Sequence, residues 1–185
     1  VNTIKKADGT GGLTVPTGTG TVATTNGVTQ ADSWRVTTAV TTGSANTNID
    51  LSSNWERSDD ASSGLIGTGV SQSSGVFSFP ETGIYQISFT FSAYKNGSGS
   101  FGKSRGQIVV SSDSGSSYDV VSDVSDSSRT ADAYGSVTAH ALVDVTDSST
   151  FRCKFQINSD STTCTFDAAS DRNRMFAMFI RLGDT

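Results

Sequence analysis

The sequence predicts an all-β chain folded as an antiparallel sandwich or jelly roll. Three observations carry this. Apolar residues recur at every second position in several segments. Thr, Val, Ser and Phe are abundant while Leu, Glu and Lys are scarce, which favours strands over helices. Polar turns rich in Ser, Asp and Gly separate the apolar segments. Leu, Ile, Val and Phe together make only about 21% of the 185 residues, just above the level at which a chain fails to bury a core. They are clustered, so part of the chain can still build one.

Residues Val1–Gln30 contain no aromatic side chain and are dominated by Thr and Gly, as in Val15-Pro-Thr-Gly-Thr-Gly-Thr-Val22. They read either as a disordered tail or as an extended arm that orders against a partner surface. The arm is favoured. The first expected strand is Trp34–Val40. The second is Asn48–Arg57, with Ile49, Leu51 and Trp55 in one phase. Ser58–Gly75 is expected to be mostly loop, with a small apolar patch at Leu65 and Ile66. Val76–Phe79 leads into the turn Pro80-Glu-Thr-Gly83. Ile84–Tyr94 then alternates, with Tyr85, Ile87, Phe89, Phe91 and Ala93 on one face.

Gly106–Ser112 and Tyr118–Val124 predict a hairpin. Tyr134–Val145 places Val137, Ala139, Ala141, Val143 and Val145 on one face. Phe151–Ile157 alternates in the same way, and Thr163–Phe166 follows a polar turn. Arg174–Leu182 is apolar on both faces and predicts a central strand covered on both sides. Phe89, Phe91, Phe155 and Phe179 are expected in the core.

Few motifs suggest chemistry. Gly97-Ser-Gly-Ser-Phe-Gly-Lys103-Ser104 fits the phosphate-binding loop pattern, but that loop needs a buried parallel strand before it and a helix after it. The residues that follow, Arg105-Gly-Gln-Ile-Val-Val, are β-prone, so a solvent-exposed strand connection is expected and a nucleotide-binding enzyme is the remote alternative. Asn96-Gly97-Ser98 is a glycosylation sequon that matters only in a secreted eukaryotic chain. The single histidine, His140, has no second histidine to support a zinc site and reads as a surface or interface residue. Cys153 and Cys164 flank a turn; two buried free thiols are favoured over a disulfide. Asp113, Asp119, Asp123 and Asp126 lack the ordered spacing of a calcium loop and read as a solvated acidic hairpin. No catalytic residue, metal or cofactor is expected.

The net charge of −5 argues against nucleic acid as a partner. The longest apolar run, Met175–Ile180, falls far short of the about 20 residues of a membrane span. No basic region precedes an apolar stretch at the N-terminus, so no signal peptide is expected.

Phe77-x-Phe79-Pro80-x-x-Gly83-x-Tyr85-x-Ile87 resembles the central motif of the complement globular-head and tumour-necrosis-factor-like jelly rolls. Gly135–Val145, the turn Thr146-Asp147, Phe151–Ile157 and the apolar Met175–Leu182 follow in that family's order. The sequence departs from the family at Ile87, where Phe is preferred, and before Phe77, where Trp55 is a possible aromatic stand-in. The resemblance implies a ten-stranded jelly roll over residues 32–185, a three-fold homotrimer, and binding rather than catalysis. A second resemblance, to bacteriophage fibre and surface proteins, rests on Leu13–Ala23, Gln30-Ala-Asp-Ser-Trp-Arg35, Asn54-Trp-Glu-Arg57 and Gly67-Thr-Gly69.

Leu142 and His140 fall on the polar phase of their strand, where a cyclic trimer would bury them; Tyr94, His140 and Leu142 are therefore the expected interface residues. The expected function is that of a non-enzymatic trimeric protein on a virion surface, for host attachment or capsid decoration. Its arm, residues 1–31, would dock onto other virion proteins through Ile4, Leu13, Val15, Pro16 and Val22. Its apical loops, with Asn96, Ser100, Phe101, Lys103, Arg129 and Tyr134, would meet a host-surface glycan or protein. A secreted complement-like adhesion module is the alternative.

Overall fold

The computed structural model describes residues 28–60, 63–95, 101–128 and 133–185; for Phe101 and Ser128 it describes the backbone alone. Thirteen strands form: β1 (Ala31–Val36), β2 (Val40–Thr41), β3 (Ile49–Asp50), β4 (Trp55–Arg57), β5 (Ser71–Ser73), β6 (Val76–Ser78), β7 (Gly83–Lys95), β8 (Phe101–Ser111), β9 (Asp119–Ser128), β10 (Gly135–Val145), β11 (Arg152–Ser159), β12 (Cys164–Phe166) and β13 (Phe176–Gly183). No helix occurs among the described residues.

All strand pairs are antiparallel and fall into two sheets. In the first, β10 lies on one edge of β7; β13 and β12 share its other edge, and the sheet continues through β1 to β4 and through β12 to β2. The second runs β5-β6-β11-β8-β9, with β3 also on β11. The inward phases of the two sheets meet in an aromatic core. Phe77 is its hub, touching the rings of Trp34, Trp55, Phe155 and Phe179 at centroid distances of 5.1–5.7 Å. Such pairs add about 0.5–1.5 kcal/mol each beyond their buried area. Phe89, Phe91, Phe155 and Phe179 are all in this core, as their phase predicts.

Several details differ from expectation. The described residues hold thirteen strands rather than ten: β2 and β5 are additional short pieces, and the segment expected as one strand from Asn48 to Arg57 is split into β3 and β4. The segment predicted as one strand from Asn48 to Arg57 is two strands in different sheets: β3 pairs with β11, and β4 pairs with β1. Asn54, at φ 61°, turns the chain between them, and the Trp55 indole donates to the Leu51 carbonyl at 2.7 Å across the bend. The phase of Ile49, Leu51 and Trp55 survives because both strands face the same core. The stretch read as loop before Gly75 contains β5, paired with β6 through a two-residue turn at Ser74 and Gly75. Both turn residues have positive φ, the signature of a type I′ hairpin. β13 is central, as predicted, but covered on one side only. Ala177 and Phe179 are buried, while Met178 on the other face stands exposed, as does Leu182 in the register break between Arg181 and Gly183.

Lys103 and Ser104 lie inside β8, which continues to Ser111. A strand therefore stands where a phosphate-binding loop would need a helix.

Candidate functional site

The outer face of the first sheet is built by register. One row across it reads Leu142, Gln86, Ile180 and Ala31; the next reads His140, Ser88, Met178 and Ser33; the third reads Thr138, Thr90, Phe176 and Arg35. Successive rows lie two residues apart along each strand, roughly 7 Å. Leu142 is 68% exposed, Leu182 55% and Met178 38%. Apolar side chains from two strands thus stand on one sheet face and are exposed among the described residues. Gln86 and Ser88 of β7 stand between the two apolar strands, so the face is a mixed apolar and polar surface of the kind that protein interfaces use. His140 Nδ1 lies 2.9 Å from Ser88 Oγ within this face.

The far end of the same face holds a cleft of about 450 Å³. Its floor is Thr90, Ser92 and Ser136, and its aromatic walls are Tyr134 and Phe176. Tyr134 is stacked on Tyr94 with centroids 4.8 Å apart. Polar groups converge on the rim. Arg174 forms an ion pair with Asp167, whose amide donates to the Ser92 carbonyl at 2.8 Å. Asn173 Oδ1 accepts from Ser58 Oγ at 2.9 Å.

The chain segment leading out to residue 27 leaves from the other end. The Arg181 amide donates to the Gln30 carbonyl at 2.9 Å, and Gly183 pairs with Ile84. Ile84 and Ser92 are eight residues apart on β7, about 27 Å at strand rise.

The expected site residues distribute as follows. Leu142 and His140 lie in adjacent rows of the outer face, on β10. Tyr94 sits at the opposite end of that face, against Tyr134 beside the cleft. Lys103 belongs to the other sheet, where its Nζ donates to Asn46 Oδ1 at 3.4 Å. Asn96, Ser100, Arg129 and the arm positions Ile4, Leu13, Val15, Pro16 and Val22 fall outside the described residues. Sequence reasoning passed over Met178, Ile180 and Leu182, whose signal was present in the two-sided apolar pattern of the last strand. It also passed over Asp167, Asn173 and Phe176, which only the fold gathers. Cys153 and Cys164 are free and buried. No cluster of three metal-type ligands occurs among the described residues.

No known protein family and no curated protein sequence matches the chain. Solved structures do. Murine APRIL at pH 5.0 superposes with a TM-score of 0.58 at 11% identity, over 83% of this chain and 98% of its own. Eiger TNF from S. frugiperda gives 0.58 at 11%, over 84% and 93%. The chain therefore has the tumour-necrosis-factor-like jelly-roll fold. PRD1 vertex protein P5 matches at a TM-score of 0.48 and 19% identity, over 85% and 100%, too low to build on.

Proposed function

We propose that this chain is a non-enzymatic, self-trimerising surface head of a virus particle, docked by its N-terminal arm and used for attachment to a host surface or for capsid decoration. The observation that supports this most is the uncovered apolar group on β10 and β13: Leu142, Met178 and Leu182. Three copies arranged around an axis would bury it by packing this face of each copy against a different surface of its neighbour, the head-to-tail contact that closes a cyclic ring. The resemblance of the Phe77–Ile87 motif to trimeric jelly rolls implies the same assembly. The virion setting rests on the Thr/Gly-rich arm and on the resemblance of the short segments to phage surface proteins.

Polarity along the subunit favours attachment. The arm leaves at one end of β7, and the cleft opens at the other, about 27 Å away. A head anchored through residues 1–31 would thus present the cleft outward. Three arms on one trimer would strengthen docking by effective concentration alone.

Quantitative mass spectrometry and antibody labelling of purified particles test this reading. Copies confined to a surface appendage support attachment, and a high copy number over the shell supports decoration. A chain missing from intact particles would overturn the virion setting.

A further inference from the structure

We infer that the cleft between Tyr134 and Phe176 is a binding site for a neutral pyranose sugar. The inference names a ligand class for the attachment reading, but it stands on the geometry of one subunit and needs neither the trimer nor the particle.

Size comes first. About 450 Å³ lies within the roughly 300–1,000 Å³ of small-molecule sites. Chemistry then narrows the choice. A pyranose has a ridge of axial C–H groups and a rim of hydroxyls, each both donor and acceptor. It needs an aromatic face for the first and paired donors and acceptors for the second. Tyr134 is 58% exposed while Tyr94 backs it at 4.8 Å, so its ring is held in place with area left to cover. The negative face of such a ring attracts the slightly positive C–H edge. Phe176, half-buried on β13, closes the opposite wall.

The rim supplies the rest. Asp167 is acceptor-only, and the Arg174 guanidinium has five N–H donors in a fixed fork. The ion pair between them occupies only part of that capacity and holds both in place. Asn173 uses its Oδ1 to accept from Ser58, and its amide nitrogen has no partner among the described residues. Neighbouring donors and acceptors of this kind match a pair of adjacent sugar hydroxyls.

Charge weighs against the rival ligands. Among the described residues, Asp167 and Arg174 are the cleft's only charged lining residues, and each offsets the other. An anionic sugar or phosphate would meet Asp167 with no surplus cation. A wholly apolar ligand would leave the polar rim unpaired, which is costly.

Saturation-transfer NMR on the full chain tests this with glucose, galactose, mannose and N-acetylglucosamine, each at about 10 mM, near the millimolar affinity of a few-contact site. At least one sugar should receive saturation, strongest at its ring protons. Tyr134→Ala and Asn173→Ala should each remove the signal through a tenfold or greater loss of affinity. Both residues are exposed, so both variants should stay folded, with thermal midpoints lowered by no more than the loss of one ring pair or one surface hydrogen bond, about 0.5–1.5 kcal/mol. Val120→Ser, on the other sheet, should bind as the wild type does. Absence of transfer to all four sugars, or transfer that survives both cleft substitutions, would overturn the assignment. Sedimentation of the same samples separates this from assembly: a trimer that binds no sugar refutes the cleft alone, and a monomer that binds refutes the trimer alone.

Discussion

Gly106 lies directly against the Phe91 ring: a Cβ built on this glycine would stand 2.6 Å from Phe91 Cδ1 and 3.1 Å from Phe89 Cε1. Both rings are fully buried, so neither can swing aside into solvent. The glycine on β8 is therefore required by the aromatic packing across the sandwich. Gly106→Ala should cost about 1–3 kcal/mol, the range for overpacking a core. Urea unfolding measures it, and an unchanged midpoint would mean that the two sheets sit further apart than described.

Asp32 is buried and collects donors from three segments. Its carboxylate accepts from the Trp34 indole at 2.9 Å, the Val70 amide at 3.0 Å and the Arg57 guanidinium at 3.0 Å. It thereby ties β1 and β4 to the loop before β5. Asp32→Ala leaves these donors without their acceptor and should cost about 3–5 kcal/mol. Thermal unfolding reads this, with Ser33→Ala on the outer side of the same strand, which loses only one hydroxyl contact with Ser58, as a control that should cost about 1 kcal/mol or less.

Burial, and after it the nearby Glu81 carboxylate, pushes the Tyr85 hydroxyl up to about 12. An unfolded tyrosine titrates at about 10. Between these values the unfolded chain releases a proton that the folded chain keeps. The contribution is full below about pH 10 and is lost as the pH rises toward 12. Tyr85→Phe removes the titration. The stability difference between wild type and this variant should therefore shift against the wild type across that window. Parallel profiles would contradict it.

Cys153 is fully buried, and burial pushes its thiol far up; Cys164 is pushed up by the same cause. Neither should react with a thiol reagent in the folded protein, and both should react once urea unfolds it. Immediate labelling of the native chain would place a thiol at the surface.

β7 was the most legible element. Five apolar residues from Tyr85 to Ala93 alternate without interruption, and all five are buried. β10 was legible for the same reason. β5 was not, because Ser71, Gln72 and Ser73 carry no apolar phase and pair only through backbone. The break between β3 and β4 was hidden because both halves keep one phase while the chain changes sheets. In β13 the periodicity was read correctly as a central strand. Which side stays uncovered depends on neighbours that no local pattern encodes. The cleft was invisible for a related reason. Tyr134, Asp167, Asn173 and Phe176 share no motif, and they meet only because β10 lies on one edge of β7 while β12 and β13 flank the other.

Sedimentation equilibrium of the purified full chain at micromolar concentration tests most directly whether sister copies cover the outer sheet face. The wild type should sediment at about 58 kDa, three chains of 19.2 kDa, and Leu142→Asp should fall to one chain without losing its β-rich fold. A wild-type chain that remains a 19.2 kDa monomer, with Leu142, Met178 and Leu182 in water, would contradict it.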